Sequence, residues 1–268
     1  VYLEYYGLTE APFNLTPNPR FLYFSVQHRE ALNHLLYGIR ERKGFVQLTG
    51  EVGAGKTTLC RALLEKLGEE EYCTALILNP VLSADQMIKA IAMEFGLSVG
   101  GMDRLDTVAA LNQFFLDRIH EGKECVLIID EAQDLTDRLL EQIRLLSNLE
   151  TDDRKLLQII LMGQPELRDR LNRHELRQLR QRITVRYHIR QLTRQEVGQF
   201  LAHRLAVAGA NGAPYFSNSA LRKVYSYSKG IPRLISSLAD KCLLAGFVHE
   251  TDRIDRRLVV IAIRELEG

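Results

Sequence analysis

The run Gly50-Glu51-Val52-Gly53-Ala54-Gly55-Lys56-Thr57, followed by Thr58, stands between an apolar burst at residues 45–49 and a helical stretch at 56–67. This placement limits what the chain can fold into. A glycine-rich turn leaving a buried strand and opening a helix aims backbone N–H groups inward, and the helix start adds a partial positive charge. Glycines let the backbone close on phosphate oxygens, with Lys56 set to reach the β- and γ-phosphates. The Thr57 hydroxyl is then the expected ligand of a Mg²⁺ ion. The spacing predicts a nucleoside-triphosphate site on a strand–loop–helix unit.

The rest of the pattern is consistent with that unit. Apolar segments at 74–78, 125–129, 156–162 and 184–189 alternate with helical stretches at 27–42, 84–95 and 107–120. Near-continuous apolar strands separated by helices predict a parallel sheet covered on both faces. After Leu192 the strands are expected to stop, and 194–208, 218–228, 232–248 and 255–266 read as helices punctuated by Gly209, Gly212 and Gly230. This implies two domains: an α/β nucleotide domain over 1–192 and a helical domain over 193–268. The first twenty residues, with Pro12, Pro17 and Pro19 among aromatics, read as an extended segment laid over a domain.

Composition excludes several classes. Lys and Arg number 35 against 34 Asp and Glu, a net charge of +1, so no bulk charge argues for a nucleic-acid coat or a polybasic membrane protein. Hydrophobic residues at 46% argue against disorder. No basic-then-apolar leader opens the chain, and no apolar run approaches the ~20 residues of a spanning helix, so a soluble, cytoplasmic chain is expected. Cys60, Cys73, Cys125 and Cys242 lie far apart in sequence without metal spacing, and read as separate buried thiols in a reducing compartment.

Other residues are expected to complete the chemistry. The apolar strand 126–129 ends in Asp130-Glu131. Asp130 is placed to hold Mg²⁺ through water and Glu131 to polarise an attacking water, a group that hydrolytic members of the class need. The strand at 156–162 leads to Gln164, whose amide can reach the attacking water or the γ-phosphate. Residues 168–190 hold eight Arg against Asp169 and Glu175, a local net charge of +6. Taken as a helix, Arg173, Arg177 and Arg180 share a face and Arg182 points nearly opposite. A solvated basic face, an arginine offered to a neighbour's γ-phosphate, and a nucleic-acid footprint all fit this run. Arg233 in Gly230-Ile231-Pro232-Arg233 sits near a helix start, where a cation does not help the helix.

Together these residues resemble the AAA+ ATPases, P-loop proteins with a helix-sandwiched parallel sheet and a small helical lid. Within them the chain is similar to the ExeA-type, or general secretion pathway protein A, family. The resemblance spans nearly the whole chain: the Tyr-Gly-Leu opening, GEVGAGKTT at 50–58, DEAQ at 130–133, GQPEL at 163–167, LRQRI at 179–183 and GIPR at 230–233. It implies Gln164 as sensor 1, Arg233 as sensor 2, and Arg182 first or Arg180 second as an arginine finger. It also implies ATP with Mg²⁺, a nucleotide-dependent homo-oligomer and an inner-membrane secretion partner, in proteins that continue into a membrane span and a periplasmic region. The chain is then either the cytoplasmic portion of such a protein or a shorter relative. A DNA-binding regulator of the TniB transposition type is the alternative, with 168–190 as its footprint.

Overall fold

The computed structural model describes residues 1–78, 80–150 and 155–268. In chain order the elements are α1 (Tyr2–Tyr5), α2 (Val26–Arg40), β1 (Phe45–Gly50), α3 (Lys56–Lys66), β2 (Tyr72–Ile77), α4 (Ala84–Glu94), α5 (Arg104–His120), β3 (Glu124–Ile129), α6 (Asp137–Leu146), β4 (Leu157–Gly163), α7 (Pro165–Leu171), α8 (Arg177–Arg182), β5 (Ile183–Ile189), α9 (Arg194–Val207), β6 (Tyr215–Phe216), α10 (Asn218–Ser228), α11 (Pro232–Val248), β7 (Arg253–Ile254) and α12 (Arg256–Glu267). Chain contacts divide it into two compact units. One holds Arg29–Gly50 and Cys60–Ile189; the other holds Val1–His28, Glu51–Leu59 and Arg190–Gly268.

The first unit is built on a five-stranded parallel sheet in the order β2-β3-β4-β1-β5. Burial follows that order. Every residue of β1 and β4 is buried, as are all but the first of β3, whereas the edge strands β2 and β5 are only partly covered. Unbroken apolar runs can be satisfied only in the middle of a sheet with both faces covered. On one face Phe45, Leu127, Ile129, Ile159 and Leu161 meet Met87 and Ile88 of α4, Leu111 and Phe115 of α5, and Leu140 and Ile143 of α6. Each such fully buried side chain contributes roughly 1.5–3 kcal/mol of transfer free energy.

Helices α6, α7 and α8 are additions to the pattern read from sequence. Thr136 caps α6 through Leu139 N–H, and Pro165 occupies the first turn of α7. Residues 168–190 are therefore not one helix. They run through α7, a 3₁₀ turn at His174–Leu176, α8 and β5, so Arg173 lies outside the helix that carries Arg177 and Arg180. All four cysteines are free and Cys60, Cys125 and Cys242 are buried, as expected; Cys73 departs from that expectation. Cys73 and Cys125 are register partners on β2 and β3, and Cys73 is only half-buried. The hydrogen bond with Cys125, helped by Arg118 and Lys123, lowers the Cys73 thiol below the usual range and raises Cys125.

In the second unit, α9 starts on a capping box of Thr193 and Glu196, and α9–α12 bury Val197, Leu201, Val224, Leu238, Cys242 and Val259 together. The strands do not stop completely after Leu192: β6 and β7 form a two-residue parallel pair. The N-terminal segment joins this helical core. Tyr6, Leu8, Phe13 and Phe21 are buried in it, and Tyr6 Oη lies 3.1 Å from Leu243 O and 3.2 Å from Thr251 O. Rather than being wholly extended, the segment contains α1 and a 3₁₀ turn at Pro19–Phe21 capped by Asn18. Among the described residues, no helix is long and apolar enough to cross a membrane.

Two contacts fix this unit's interior. Gly230 has φ +81°, and its carbonyl accepts from Leu192 N at 2.9 Å. A Cβ there would lie 2.0 Å from Leu192 O. His28 is buried, with Nε2 donating to Ala54 O at 2.9 Å. A carbonyl can only accept, so the neutral ring's Nδ1 accepts from Ser25 Oγ at 2.7 Å. Burial lowers the His28 pKa. Burial also lowers that of His203, with Arg204 adding to the shift.

Gly230→Ala combines left-handed strain with a backbone clash and should cost at least about 2 kcal/mol. Urea unfolding tests this; a change below about 0.5 kcal/mol, the range of neutral surface substitutions, would contradict the packing. The histidines set a pH dependence. Their folded pKa values lie below the unfolded value of about 6.5, so between the two the unfolded chain binds more protons. This contribution is complete above about pH 6.5 and is lost as the pH falls towards the folded values. The urea midpoint should drop on acidification from about pH 7 to about pH 5, and the drop should be smaller in His28→Gln; equal slopes would remove His28 as a cause.

Candidate functional site

The chain leaves β1 at Gly50, turns through 51–55 and enters α3 at Lys56. Gly53 (φ +78°) and Gly55 (φ +92°) take the left-handed conformation that the turn requires, and Ala54 N donates to Glu51 O at 3.0 Å. The α3 ladder begins on the loop itself, with Leu59 N bonding Gly55 O at 2.9 Å. Lys56 is buried at 6% exposure, and its Nζ donates to Glu51 O at 3.1 Å. The ammonium is thus stored against the loop backbone beside amides that open a helix. Thr57 and Thr58 are half-buried on the first turn.

Residues outside the loop shape it. Arg233 N donates to Gly53 O at 3.3 Å, and a Cβ on Gly53 would lie 2.5 Å from Arg233 Cβ. The Gly230–Arg233 motif, far along the chain from the loop, therefore packs directly on it. On the other flank His28 Nε2 holds Ala54 O. His28 carries no motif of its own, and sequence reading gives it no role.

Asp130, Glu131 and Gln164 belong to the sheet unit. Strands β3, β4 and β1 are parallel neighbours, with Ile129 opposite Leu161 and Thr49 opposite Gly163. Gly50, Asp130 and Gln164 therefore leave the sheet at the same edge. Asp130 is 2% exposed; its N–H continues the ladder to Ile77 O at 2.8 Å, and its Oδ1 accepts from Glu131 N at 2.9 Å. Glu131 has φ 50° and ψ 38°, left-handed for a residue that rarely adopts it. Its Oε2 accepts from Gln133 Nε2 at 2.8 Å and lies 3.4 Å from Gln164 Nε2. Gln133 Oε1 in turn accepts from Gln164 N at 3.0 Å, beside Gly163, where a Cβ would come within 2.9 Å. Gln133 is the residue that sequence reasoning passed over: it stands in the DEAQ motif, yet only the fold brings it between Glu131 and Gln164.

The arginines separate into different settings. Arg182 is half-buried, and its Nη1 donates to Ser147 Oγ at 2.7 Å and lies 3.4 Å from Arg144 O, fastening α8 to the end of α6. Arg180 is exposed and makes no ion pair among the described residues. Arg170 bonds Leu135 O and faces Asp137 at 3.7 Å.

Known proteins share this fold and much of this sequence. Residues 39–171 match the AAA domain model. The whole chain is 45% identical over 269 aligned residues to General secretion pathway protein A of Aeromonas hydrophila, and spans 49% of that protein's length. Solved structures with the same fold include the Aeropyrum pernix ORC2 protein in ADPNP–ADP complexes, at TM-score 0.70 and 16% identity over 97% of this chain and 72% of that one. Drosophila ORC bound to DNA gives TM-score 0.71 at 16% identity, covering 96% and 64%. The Thermotoga maritima RuvB Holliday junction branch migration motor gives 0.60 at 18%, covering 91% and 70%. With its five-stranded parallel sheet and C-terminal helices, the chain has the AAA+ fold, carries an AAA domain over residues 39–171, and is similar along its entire length to General secretion pathway protein A.

Proposed function

We propose that this chain binds ATP with Mg²⁺ and hydrolyses it to ADP and phosphate. The carrying observation is the Glu131 carboxylate, held by Gln133 with Gln164 beside it, at the sheet edge where Gly50 also begins the phosphate loop. The donor set suits the ligands: buried Lys56 and glycine-lined amides for phosphate, and the hard oxygens of Thr57 and Asp130 for Mg²⁺. Mg²⁺, when bound, neutralises charge on the phosphates. Residues 50–58 hold the triphosphate, Arg233, packed on that loop, meets it, Gln164 reports on its γ end, and Glu131 accepts a proton from the attacking water. Residues 1–192 then act as the nucleotide domain and 193–268 as its lid.

The reading extends to assembly. Nucleotide-dependent self-association lets one copy supply an arginine to the next, and a head-to-tail contact of this kind builds rings or filaments. Arg180 is the favoured candidate, because Arg182 is engaged by Ser147 of its own chain. The similarity to General secretion pathway protein A supports a role in assembling a secretion or envelope complex with an inner-membrane partner, the chain itself lying on the cytoplasmic side.

Two variants separate binding from chemistry. Lys56→Ala should weaken ATP-analogue binding about tenfold or more, and unchanged affinity in a folded variant would refute the loop assignment. Glu131→Gln keeps shape and hydrogen bonding but not basicity, so ATP should bind while turnover falls roughly 10²-fold. Wild-type turnover in that variant would assign the water to another group. Gln133 is a positioning residue for Glu131. Gln133→Ala should lower kcat by about 2–10-fold, the worth of one hydrogen bond, with KM little changed. A change confined to KM would place Gln133 in binding instead.

A further inference from the structure

Residues of the basic run 168–190 line a concave site of which the nucleotide reading uses only Arg180. Gln47 and Thr49 of β1 stand opposite Arg186 and His188 of β5 in the parallel register. Register partners project to one face of a sheet, so these four side chains make a polar floor at its β5 edge. Arg168, Leu171 and Asn172, on α7 and just after it, and Arg180 of α8 complete a cavity of about 230 Å³. No carboxylate lines it among the described residues. Gln47 and Thr49 are 4% and 2% exposed, and Thr49 Oγ1 lies 3.0 Å from His188 Nδ1. Arg186 Nη2 donates to Arg180 O at 2.5 Å, which ties two of the three arginines together. Arg168 Nε lies 3.5 Å from the carboxylate of Asp169, which is exposed and outside the cavity lining.

We propose that this cavity binds a phosphate group, at a site distinct from the loop at 50–58. Three guanidinium groups around a polar floor, without a lining carboxylate, repel one another until an anion of more than one charge enters. Guanidinium forks match phosphate oxygens two at a time. The volume falls below the roughly 300–1,000 Å³ of typical small-molecule sites, so the cavity suits a phosphate or pyrophosphate rather than a whole nucleotide. The phosphate it takes is a free inorganic ion rather than the nucleotide of a neighbouring copy. The site lies wholly within the sheet unit and shares only Arg180 with the proposed ATPase cycle.

The test is calorimetric titration of pyrophosphate into the full chain, comparing wild type, Lys56→Ala and the double variant Arg168→Gln/Arg186→Gln, with thermal melts confirming folding. Lys56→Ala should retain one pyrophosphate site per chain, and the double variant should lose at least about tenfold at that site. If the double variant is unfolded, Arg186→Lys, which keeps the charge but not the fork, should show the same loss more weakly. Affinity that is constant across protein concentration identifies the free ion as the source. Affinity that appears only as chains associate would make these arginines a contact between copies and overturn the proposal. The proposal fails if Lys56→Ala abolishes all pyrophosphate binding, or if the arginine variants bind as wild type does. It fails equally if those variants lose only salt-sensitive retention on duplex DNA, which would make the run a nucleic-acid surface.

Discussion

A parallel sheet sends every strand's carboxyl end to one side, and in this chain that constraint positions most of the candidate site. Strands β3, β4 and β1 are so apolar that they must occupy the covered middle of the sheet, and the register then brings Gly50, Asp130 and Gln164 out at one edge. The polar residue that ends β3 and the one that ends β4 are therefore placed by the sheet itself. The apolar interior defines the site by exclusion: charge appears where burial ends. Asp130, at 2% exposure, is the limiting case, a carboxylate kept at the last position the ladder reaches.

Backbone strain sharpens the placement. Glu131 takes a left-handed conformation that costs a non-glycine residue of order 1–3 kcal/mol. The cost is offset by the bond from its own N–H to Asp130 Oδ1 and by the Gln133 amide on its carboxylate. An ordinary extended continuation of β3 would carry the next side chain to the opposite face of the sheet. The reversal instead keeps Asp130 and Glu131 together, and Gln133, bonded to the Gln164 backbone, ties that reversal to the end of β4. The loop at 51–55 uses glycine to the same end. Gly53 is required both for its positive φ and because Arg233 comes too close to admit a side chain.

Much of this was legible in the sequence because it rests on local chemistry. The alternation of apolar bursts and helical stretches marked the strands to within a residue or two of their observed ends, and Gly50–Thr58 and Asp130-Glu131 are recognisable as contiguous runs. What escaped depends on distance. Gln133 gains its partner 31 residues on, and the Cys73–Cys125 pairing is set by strand register rather than by spacing. The aromatic and proline-rich opening reads as a cover, but its partners, such as Leu243, lie at the far end of the chain. Residues 168–190 misled for a different reason. Frequent arginines are compatible with helix, turn and edge strand alike, so periodicity could not divide them.

The division of those arginines also explains why a net charge of +1 says so little about this chain. The +6 of residues 168–190 is balanced by acid elsewhere, yet among the described residues the fold brings no acid to the lining of the cavity beside β5. Some of the cations are engaged locally: Arg182 by Ser147, Arg170 by Leu135 and Asp137. These bonds brace α7 and α8 against neighbouring elements, and the bracing is what holds Arg168 and Arg180 over the strand that carries Arg186. Structural arginines thus set the positions of those left to meet an anion. An exposed charge has little energetic reason to sit in one place, whereas one carried on a braced element is already oriented before its ligand arrives.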